Sequence, residues 1–397
     1  MKIKMSKSKK IKIIITIVCI SFIQGLQFCV TPILGPIQEH FPGVSVDMIQ
    51  MLVTVPTLLS IVVALISGWL VVKISKKRLL LFASLVASIT GFMPFLADSF
   101  MLLFTARIFF GVALGLCIAL NTAVVAEFFE GDERMSVMGI QAASVGAGIT
   151  VVTTLGGLLG AAHFQNAYFM NIIGVIAFIL IAICLPETGT AKVSRHEKIQ
   201  MNKTVYITAA IGMLEMLFLI TFSTNIAMHI SGSLAGSTTV SGNLTGIFSG
   251  AQIVMGLILG AIAKVTRKYT LPAAMLSFSV GGMLLVLFPS NYIMLMIGAV
   301  FCGFSQGMFI PTAMVDVSNA VNPASTTMAA AVMTCGQCFG QLISPAVLNG
   351  AAKTIMGATT TTNVYIIAVI GMTVSAVAVV IYKFNCNRVE RSEVLPS

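Results

Sequence analysis

Residues 185–203 read LPETGTAKVSRHEKIQMNK and form the longest polar interval in the sequence. The segments before and after this interval are nearly equal in length, and both are overwhelmingly apolar. Segments of this composition cannot form soluble domains, because the surface of a soluble domain needs many charged side chains. The stretch therefore predicts a polytopic membrane protein in which one basic linker joins two apolar halves that arose by duplication.

The composition of the whole chain supports this class. Of its 397 residues, 57% are hydrophobic and only 9% are charged, whereas a soluble domain carries about 25% charged residues. The net charge of +10 comes from Lys and Arg in short clusters between apolar runs, the distribution that orients membrane proteins. Because no helix carries a continuous basic face, the sequence predicts contact with a lipid bilayer and no nucleic-acid partner.

Apolar stretches of about 20 residues, the length that crosses a bilayer, predict an all-α membrane protein with twelve transmembrane helices in two six-helix pseudo-repeats. The predicted spans are 13–35, 48–72, 79–97, 100–126, 136–162, 166–185, 204–230, 241–263, 270–289, 292–315, 325–350 and 363–383. The predicted domains are a cytoplasmic basic tail at 1–12, a six-helix bundle at 13–185, a cytoplasmic linker at 186–203, a second six-helix bundle at 204–383 and a cytoplasmic tail at 384–397.

The basic residues also predict the orientation. With both termini in the cytoplasm, all but two of the 23 Lys and Arg residues fall on the cytoplasmic side, as the positive-inside rule requires. The exceptions are Lys353 on the outer side and Arg107 within the membrane. Since one helix more or fewer would invert half of the loops, the sequence predicts an even number of crossings of the plasma membrane.

A weak internal repeat supports the duplication. The second predicted helix of each half ends in a glycine that a short basic loop follows, from Gly68 to Arg78 and from Gly260 to Lys268. Gly68 and Gly260 are 192 residues apart, about half the chain. Repeats of this kind build secondary transporters, whose substrate path lies between the repeats.

The first of these loops resembles the signature G-x-L-A-D-R-x-G-R-K of the major facilitator superfamily. The matching residues are Gly68, Leu70, Lys73, Lys76 and Lys77. Val72 stands at the position of the acidic residue, and Ser75 at that of the second glycine. The resemblance implies a loop that helps to lock the outward-facing state, without the acidic residue of that lock. Positive-inside anchoring accounts for the same lysines.

The fifth predicted helix is similar to the antiporter motif G-x8-G-x3-G-P-x-x-G-G of that superfamily. Its glycines are Gly139, Gly148, Gly156 and Gly157, and Val152-Thr153 replaces the Gly-Pro pair. The resemblance implies antiport. Close helix packing through small residues explains the glycines equally well.

Two further passages resemble the drug-efflux and sugar-efflux branch. LFTARIFFG at 103–111 is similar to the antiporter pattern L-x-x-x-R-x-x-Q-G, with Phe110 in place of Gln. FQNAYFMN at 164–171 and LPET at 185–188 resemble W-R-x-x-F-x-x-N and L-P-E-T. The resemblance covers essentially the whole chain and implies a twelve-helix exporter.

Charged residues inside membrane spans are functional candidates by default. Glu215 is the only acid deep in any predicted span, which makes it the candidate proton-coupling carboxylate. Protonation would compete there with binding of a cationic solute. A structural salt bridge, for example to Arg107, is the alternative. Three roles are open for Arg107: it holds an anionic group of the substrate, it tunes the proton site, or it is purely structural.

In the resembled fold, helices 1, 4, 7 and 10 line the central cavity, which implies the residues that contact substrate. The candidates are Gln24, Gln27, Arg107, Asn121, Phe218, Phe222, Asn225, Gln306 and Thr312. Four further glutamines either line the path or bridge helices by hydrogen bonds. They are Gln141, Gln252, Gln337 and Gln341.

The sequence therefore predicts a secondary active transporter that works by alternating access, with proton-coupled efflux of small amphipathic or drug-like solutes as the first hypothesis. A proton-coupled importer or facilitator of a sugar, amino acid or organic anion is the alternative. No ATP-binding P-loop occurs, and scattered histidines do not form an enzyme site. We expect no cofactor and no metal, since Cys335 and Cys338 suit helix packing. A monomer is sufficient for this fold.

Overall fold

The computed structural model describes residues 6–129, 131–188, 201–321 and 326–394. Over these ranges the chain is helical and contains no β-strand. The helices are α1 (Lys7–Gly25), α2 (Leu34–His40), α3 (Val46–Thr54), α4 (Pro56–Lys73), α5 (Lys76–Phe92), α6 (Phe100–Phe128), α7 (Gly131–Gly160), α8 (Ile172–Cys184), α9 (Lys203–Leu219), α10 (Thr221–His229), α11 (Thr238–Thr266), α12 (Thr270–Leu287), α13 (Tyr292–Asn319), α14 (Thr326–Met356) and α15 (Thr361–Val394). Most of the predicted linker, at 189–200, and the ends of both predicted tails lie outside the described residues.

Eleven continuous helical stretches of the described chain are long and apolar enough to cross a membrane. The predicted number was twelve, and the difference arises because α11 and α12 form one stretch, Thr238–Leu287, of 50 residues. A 3₁₀ turn at Arg267–Tyr269 separates the two helices. Arg267 has a φ of 50°, a left-handed conformation that an α-helix does not contain. The predicted all-α class is confirmed.

The chain divides into two compact units. The first comprises Met1–Arg195 and Gly236–Gly246, and the second comprises His196–Ala235 and Ile247–Ser397. The first turns of α11 therefore pack within the first unit, while the rest of that helix belongs to the second.

The same close helix contact occurs inside each unit. In the first, a Cβ atom added at Gly115 would lie 2.6 Å from the carbonyl oxygen of Ser60, so α6 packs directly on the backbone of α4. In the second, a Cβ atom at Gly307 would lie 2.6 Å from the carbonyl oxygen of Gln252, so α13 packs on α11 in the same way. Gly115 and Gly307 are 192 residues apart, as are Ser60 and Gln252.

Large apolar side chains cover the outward faces of the helices. Leu65, Ile183, Leu257 and Val374 are each more than 60% exposed. Exposed apolar surface of this kind marks contact with another apolar phase. Because α-helices satisfy their backbone hydrogen bonds internally, these faces suit the hydrocarbon region of a bilayer.

The LPET sequence has a structural role at the start of α5. The buried Thr188 hydroxyl accepts a hydrogen bond from the Lys77 amide at 3.0 Å. Ser75 Oγ accepts one from the Arg78 amide at 3.5 Å. Since the first amides of a helix have no acceptor within the helix, Thr188 and Ser75 together cap α5.

Replacing Thr188 with valine removes the acceptor and keeps the shape of the side chain. We expect a loss of about 1 kcal/mol in the free energy of unfolding, as for other helix caps. Thermal unfolding of the purified protein in detergent measures this loss, and Thr188→Ser, which keeps the hydroxyl, is the matched control. An unchanged midpoint in the valine variant would show that this hydroxyl does not cap α5.

Candidate functional site

The first apolar stretch contains a break. α1 ends at Gly25, and 3₁₀ turns at Leu26–Phe28 and Thr31–Ile33 precede α2. Pro32 lies in the second turn and has no amide hydrogen to continue an α-helix. Carbonyl groups at such a break lack their usual helical donors.

Arg107 of α6 supplies donors to this break. The side chain is only 3% exposed, and its Nη1 and Nη2 donate to the carbonyl oxygens of Leu26, at 3.3 Å, and Gln27. Its Nε donates to the carbonyl oxygen of Leu52 in α3 at 2.8 Å. The planar guanidinium can bond several oxygens at once. Arg107 therefore joins α6 to the break after α1 and to α3.

The amide side chains predicted to line the cavity from the first unit also donate to neighbouring helices. Gln24 Nε2 donates to the carbonyl oxygen of Cys117, and Gln27 Nε2 donates to that of Val53, each at 3.3 Å. Asn121 is fully buried, and its Nδ2 donates to a serine hydroxyl of α1 at 2.9 Å. Its Oδ1 has no hydrogen-bond partner in the described part of the chain.

Two residues beside Arg107 were not among the predicted site residues. Tyr168 is buried, and its hydroxyl has no hydrogen-bond partner among the residues that the structure describes. Asn171 Nδ2 donates to the Tyr168 carbonyl oxygen at 2.9 Å. Both residues line a small pocket with Arg107 and Phe110. Both belong to the efflux-like passage at 164–171, but that resemblance gives neither a site role.

Two of the motif glycines of α7 face the first apolar stretch. A Cβ atom at Gly148 would lie 3.0 Å from the Cα atom of Phe22 in α1. At Gly156 it would lie 3.6 Å from the carbonyl oxygen of Cys29, an ordinary contact distance. Gly148 is therefore required for close packing, while Gly156 is less restricted.

Gly157 faces the first turns of α11. A Cβ atom there would overlap the carbonyl oxygen of Thr238 and would lie 3.1 Å from the Cα atom of Gly242. The Thr238 hydroxyl donates to the Gly157 carbonyl oxygen at 2.7 Å. About two turns further along both helices, Thr150 Oγ1 donates to the carbonyl oxygen of Gly246 at 3.3 Å. Small residues and hydroxyl groups thus hold α7 against the start of α11.

Because the motif glycines differ in their contacts, replacing them with alanine should have different effects on stability. Gly157→Ala should cost about 1–3 kcal/mol of stability, because a backbone carbonyl cannot move aside as a flexible side chain does. At Gly139 no atom of the described residues lies within 4 Å of an added Cβ, so Gly139→Ala should be neutral or should stabilise the helix by up to about 1 kcal/mol. Thermal unfolding in detergent compares the two variants. Equal effects would contradict the close contact at Gly157.

The basic loop before α5 makes contacts of mixed kinds. Gly68 is exposed and has open space around it, and Lys73 Nζ lies 3.9 Å from the ring centroid of the single tryptophan. Lys76 Nζ bonds Glu127 at the end of α6 at 2.6 Å. Lys77 provides the backbone amide that caps α5. The Lys76–Glu127 ion pair ties the loop to α6 although the acidic residue of the signature is missing.

In the second unit, Glu215 lies within α9. It is 0% exposed, and no described residue donates a hydrogen bond to either carboxyl oxygen. α9 packs against α13, α14 and α15, so the carboxyl group lies inside the helix bundle. An ionised carboxylate without partners is very costly in such surroundings, and this arrangement therefore suits the neutral acid.

The two aromatic residues predicted to line the cavity pack within the second unit. The Phe222 ring stacks on Phe248 of α11, with ring centroids 4.8 Å apart. Phe218 occupies the space that Gly371 of α15 leaves, since a Cβ atom there would overlap the ring. Asn225 is buried, and its Nδ2 donates to the backbone of α10 one turn earlier at 3.2 Å.

The remaining predicted cavity residues lie on α13. Gln306 is half-buried. Thr312 Oγ1 donates to the carbonyl oxygen of Met308 in the same helix at 2.7 Å. The structure thus brings Arg107 and Gln27 into direct contact, whereas the Thr312 hydroxyl bonds the backbone of its own helix.

Comparison with known families decides the class of this helical membrane protein. The family model described as Major Facilitator Superfamily matches residues 15–208 and again residues 208–396. The chain belongs to the major facilitator superfamily. The resemblance seen in the sequence motifs is confirmed.

Curated relatives of this superfamily member include a quinolone resistance protein and a riboflavin transporter. It is 24% identical over 296 residues to the quinolone resistance protein NorA of Staphylococcus aureus (strain COL), an alignment that spans 70% of this chain and 74% of NorA. It is 27% identical over 179 residues to the riboflavin transporter RibZ of Clostridioides difficile (strain 630), which spans 44% of this chain and 39% of RibZ.

Solved structures of transporters share the fold of this superfamily member. A mutant of the nucleoside transporter NupG superposes with a TM-score of 0.77 and 15% identity, over 93% of this chain and 99% of NupG. A bacterial homologue of the human lysosomal transporter Spinster, inward-facing and unoccupied, gives a TM-score of 0.68 and 13% identity, over 95% of each chain. At these identities the likeness establishes the fold alone.

Family and fold together establish the general activity. This member of the major facilitator superfamily is a multi-pass membrane protein that transports small-molecule substrates. It is not an enzyme, as the sequence predicted.

Proposed function

We propose that this transporter is a proton-coupled exporter of small amphipathic or drug-like solutes, working by alternating access across the plasma membrane. The observation that carries the proposal is the carboxyl group of Glu215, which is fully buried and has no hydrogen-bond partner among the described residues. The relationship to a quinolone resistance protein supports efflux as the direction. In this proposal a proton and the cationic group of the solute use Glu215 in turn.

Glu215 couples the two fluxes because its two charge states need different surroundings. In the closed interior the neutral acid is favoured, and contact with water or with a solute cation favours the carboxylate. A solute cation that enters from the cytoplasm displaces the proton. A proton that enters from outside displaces the cation, so each cycle exchanges one solute for one proton.

The other candidate residues supply the walls of the cavity. Phe218 and Phe222 offer aromatic surface to an amphipathic solute, and the amide and hydroxyl groups offer hydrogen bonds. The polar wall residues proposed are Gln24, Gln27, Asn121, Asn225, Gln306 and Thr312. Arg107 acts by positioning, because its hydrogen bonds fix the break at Leu26 and Gln27 next to the proposed wall.

We infer twelve membrane crossings. A continuous helix of 50 residues would be about 75 Å long, more than twice the roughly 30 Å of the hydrocarbon core. The break at Arg267–Tyr269 divides Thr238–Leu287 into two helices of crossing length. The basic residues Lys264 and Lys268 beside the break suit a cytoplasmic loop.

The domain boundaries proposed follow from these twelve crossings. The tails at 1–12 and 384–397 and the linker at 186–203 are cytoplasmic, and the six-helix bundles span 13–185 and 204–383. Gly111 against the Pro56 carbonyl oxygen and Gly303 against the Phe248 carbonyl oxygen support two pseudo-repeats. Each residue of the second contact lies 192 positions after its counterpart in the first.

The motif glycines of α7 and the basic loop are proposed to serve the conformational cycle. The glycines are Gly139, Gly148, Gly156 and Gly157, and the loop comprises Gly68, Lys73, Lys76 and Lys77. Partly exposed ion pairs such as Lys76–Glu127 are worth on the order of 1 kcal/mol or less. The loop can therefore release α6 and bind it again in each cycle at little cost.

A proton-coupled importer or facilitator is the second candidate function. One curated relative is named a riboflavin transporter, and one solved structure of the same fold is a nucleoside transporter. The direction of proton movement relative to the solute separates this candidate from the exporter.

Purified protein in liposomes tests the proposed function. The probe is tetraphenylphosphonium, a permanent cation, with the membrane potential clamped by potassium and valinomycin. Antiport predicts that the probe accumulates when the interior is acidic and that its entry makes the interior more alkaline, as an internal pH dye reports. Accumulation only with an alkaline interior, or equilibration without accumulation, would overturn the proposal. Protein-free liposomes give the background.

A further inference from the structure

Two glutamines of α14 carry buried amide nitrogens without a hydrogen-bond partner in the described part of the chain. Gln337 and Gln341 are each 7% exposed, and neither Nε2 donates a hydrogen bond to any described residue. Buried polar groups in folded proteins are almost always hydrogen-bonded, and an unbonded one is destabilising. Two such amides one helical turn apart therefore need an acceptor that is not among the described residues.

The packing of α14 on α9 fixes where these amides lie. A Cβ atom at Gly336 would lie 2.7 Å from the carbonyl oxygen of Ala209. Further along both helices, Ser344 Oγ donates to the carbonyl oxygen of Leu217 at 2.6 Å. Contacts that advance by the same number of residues on each helix show that α9 and α14 run side by side in the same direction.

The glutamines lie along the flank of α9 that carries Glu215. Gln337 Cγ lies 3.3 Å from the position of a Cβ atom at Gly212. Gly212 precedes Glu215 by three residues and so shares a face with it. Gln341 lies about one helical turn after Gln337 in α14, and Glu215 lies about one turn after Gly212 in α9. The carboxyl group and both amides therefore follow one flank of the α9–α14 pair.

The unsatisfied groups on this flank are of two complementary kinds. The oxygens of Glu215 accept hydrogen bonds or face a positive charge, while the amide nitrogens of Gln337 and Gln341 donate. A solute that carries both an ammonium group and a carbonyl or carboxylate oxygen would satisfy all three residues. A cation without an acceptor would satisfy Glu215 and leave both amides unbonded.

We propose that Gln337 and Gln341 are specificity-determining residues of this transporter. Acting along the flank of Glu215, they select solutes that carry a hydrogen-bond acceptor as well as a protonated nitrogen. The proposal rests on the proposed function, since it takes Glu215 to receive the cationic group of the solute.

Two cationic probes test the proposal in the liposome assay. Norfloxacin carries a secondary ammonium group together with carbonyl and carboxylate oxygens, whereas tetraphenylphosphonium has neither a donor nor an acceptor. In the double variant Gln337→Leu, Gln341→Leu, we expect kcat/KM for norfloxacin to fall about tenfold, which corresponds to about 1.4 kcal/mol. The kcat/KM for tetraphenylphosphonium should stay within about twofold of the wild-type value, a difference of less than 1 kcal/mol.

The matched control is Gln38→Leu, which removes a half-buried glutamine of α2 in the first unit, whose Nε2 donates to the Val44 carbonyl oxygen at 3.1 Å. We expect it to leave the ratio of the two kcat/KM values unchanged. If the leucine substitutions impair folding, the variants Gln337→Met and Gln341→Met are tested in their place. An equal fall for both probes in a well-folded variant, or no change for norfloxacin, would overturn the proposal.

Binding in detergent gives an independent readout. Norfloxacin should raise the unfolding temperature of the wild-type protein and lose most of this effect in the double variant, while the effect of tetraphenylphosphonium persists. Loss of both effects, or of neither, would overturn the specificity role. If the wild-type protein does not couple tetraphenylphosphonium movement to protons, the proposed function is refuted instead. The comparison of norfloxacin and tetraphenylphosphonium binding would still test whether the glutamines determine specificity.

Discussion

The Glu215→Gln variant is expected to lose solute accumulation driven by a pH gradient and to keep the exchange of solute for solute. Glutamine has the shape of the neutral acid but cannot ionise, so solute binding no longer displaces a proton. With one proton per solute, a gradient of one pH unit supports about tenfold accumulation, because one pH unit corresponds to about 1.4 kcal/mol. The variant should reach no accumulation above that of vesicles without a gradient.

Uptake of tetraphenylphosphonium into acidic liposomes measures this loss, and counterflow of labelled against unlabelled probe measures the exchange that is kept. Glu133→Gln is the matched control, because Glu133 is an exposed acid that pairs with Lys10 at 2.6 Å. It should keep full accumulation. A well-folded Glu215→Gln protein that still concentrates the probe would exclude Glu215 as the coupling group.

The Arg107→Met variant is expected to lose both stability and transport. Its side chain is 3% exposed and donates to three backbone carbonyl oxygens. Methionine fills similar space but removes the Arg107 donors from the Gln27 and Leu52 carbonyl oxygens and one of the two donors from that of Leu26, which the Cys29 amide also bonds, at a total cost on the order of 3 kcal/mol. Arg107→Lys should not restore the protein, because one ammonium group cannot reproduce the planar set of donors. Thermal unfolding and liposome uptake measure the two losses.

The control for Arg107 is Lys353→Met, which removes a positive charge from an exposed position and should leave stability unchanged. The positioning role also predicts that Arg107→Met slows cationic and zwitterionic probes alike. If the variant keeps the wild-type unfolding temperature and loses transport only of probes with a carboxylate, Arg107 binds an anionic group of the solute instead.

Helical segments could be predicted from the sequence because the length of an apolar run is a local signal. The break after Gly25 could not, since apolar residues continue on both sides and the predicted helix ran from 13 to 35. The carbonyl groups freed at this break are bonded by Arg107, which lies far away in the sequence. Local composition does not carry that information.

Glu215 and Arg107 could be singled out because charged residues in apolar spans are costly and rare. Their surroundings could not be predicted, because helical periodicity relates residues of one helix only. In the sequence, Gln337 and Gln341 resemble other glutamines that bridge helices. Only the packing of α14 on α9 shows that they lie on the flank of Glu215 with unbonded amides.

The most direct test of Glu215 as the shared site is the number of protons released when a cation binds. Purified protein in weakly buffered detergent solution, with a pH dye, is saturated with tetraphenylphosphonium at a pH where the site starts protonated. We expect the wild-type protein to release about one proton per bound cation, as linkage requires of a single shared site, and Glu215→Gln to release none. Equal release from both proteins, or binding to wild-type protein without release, would contradict the account.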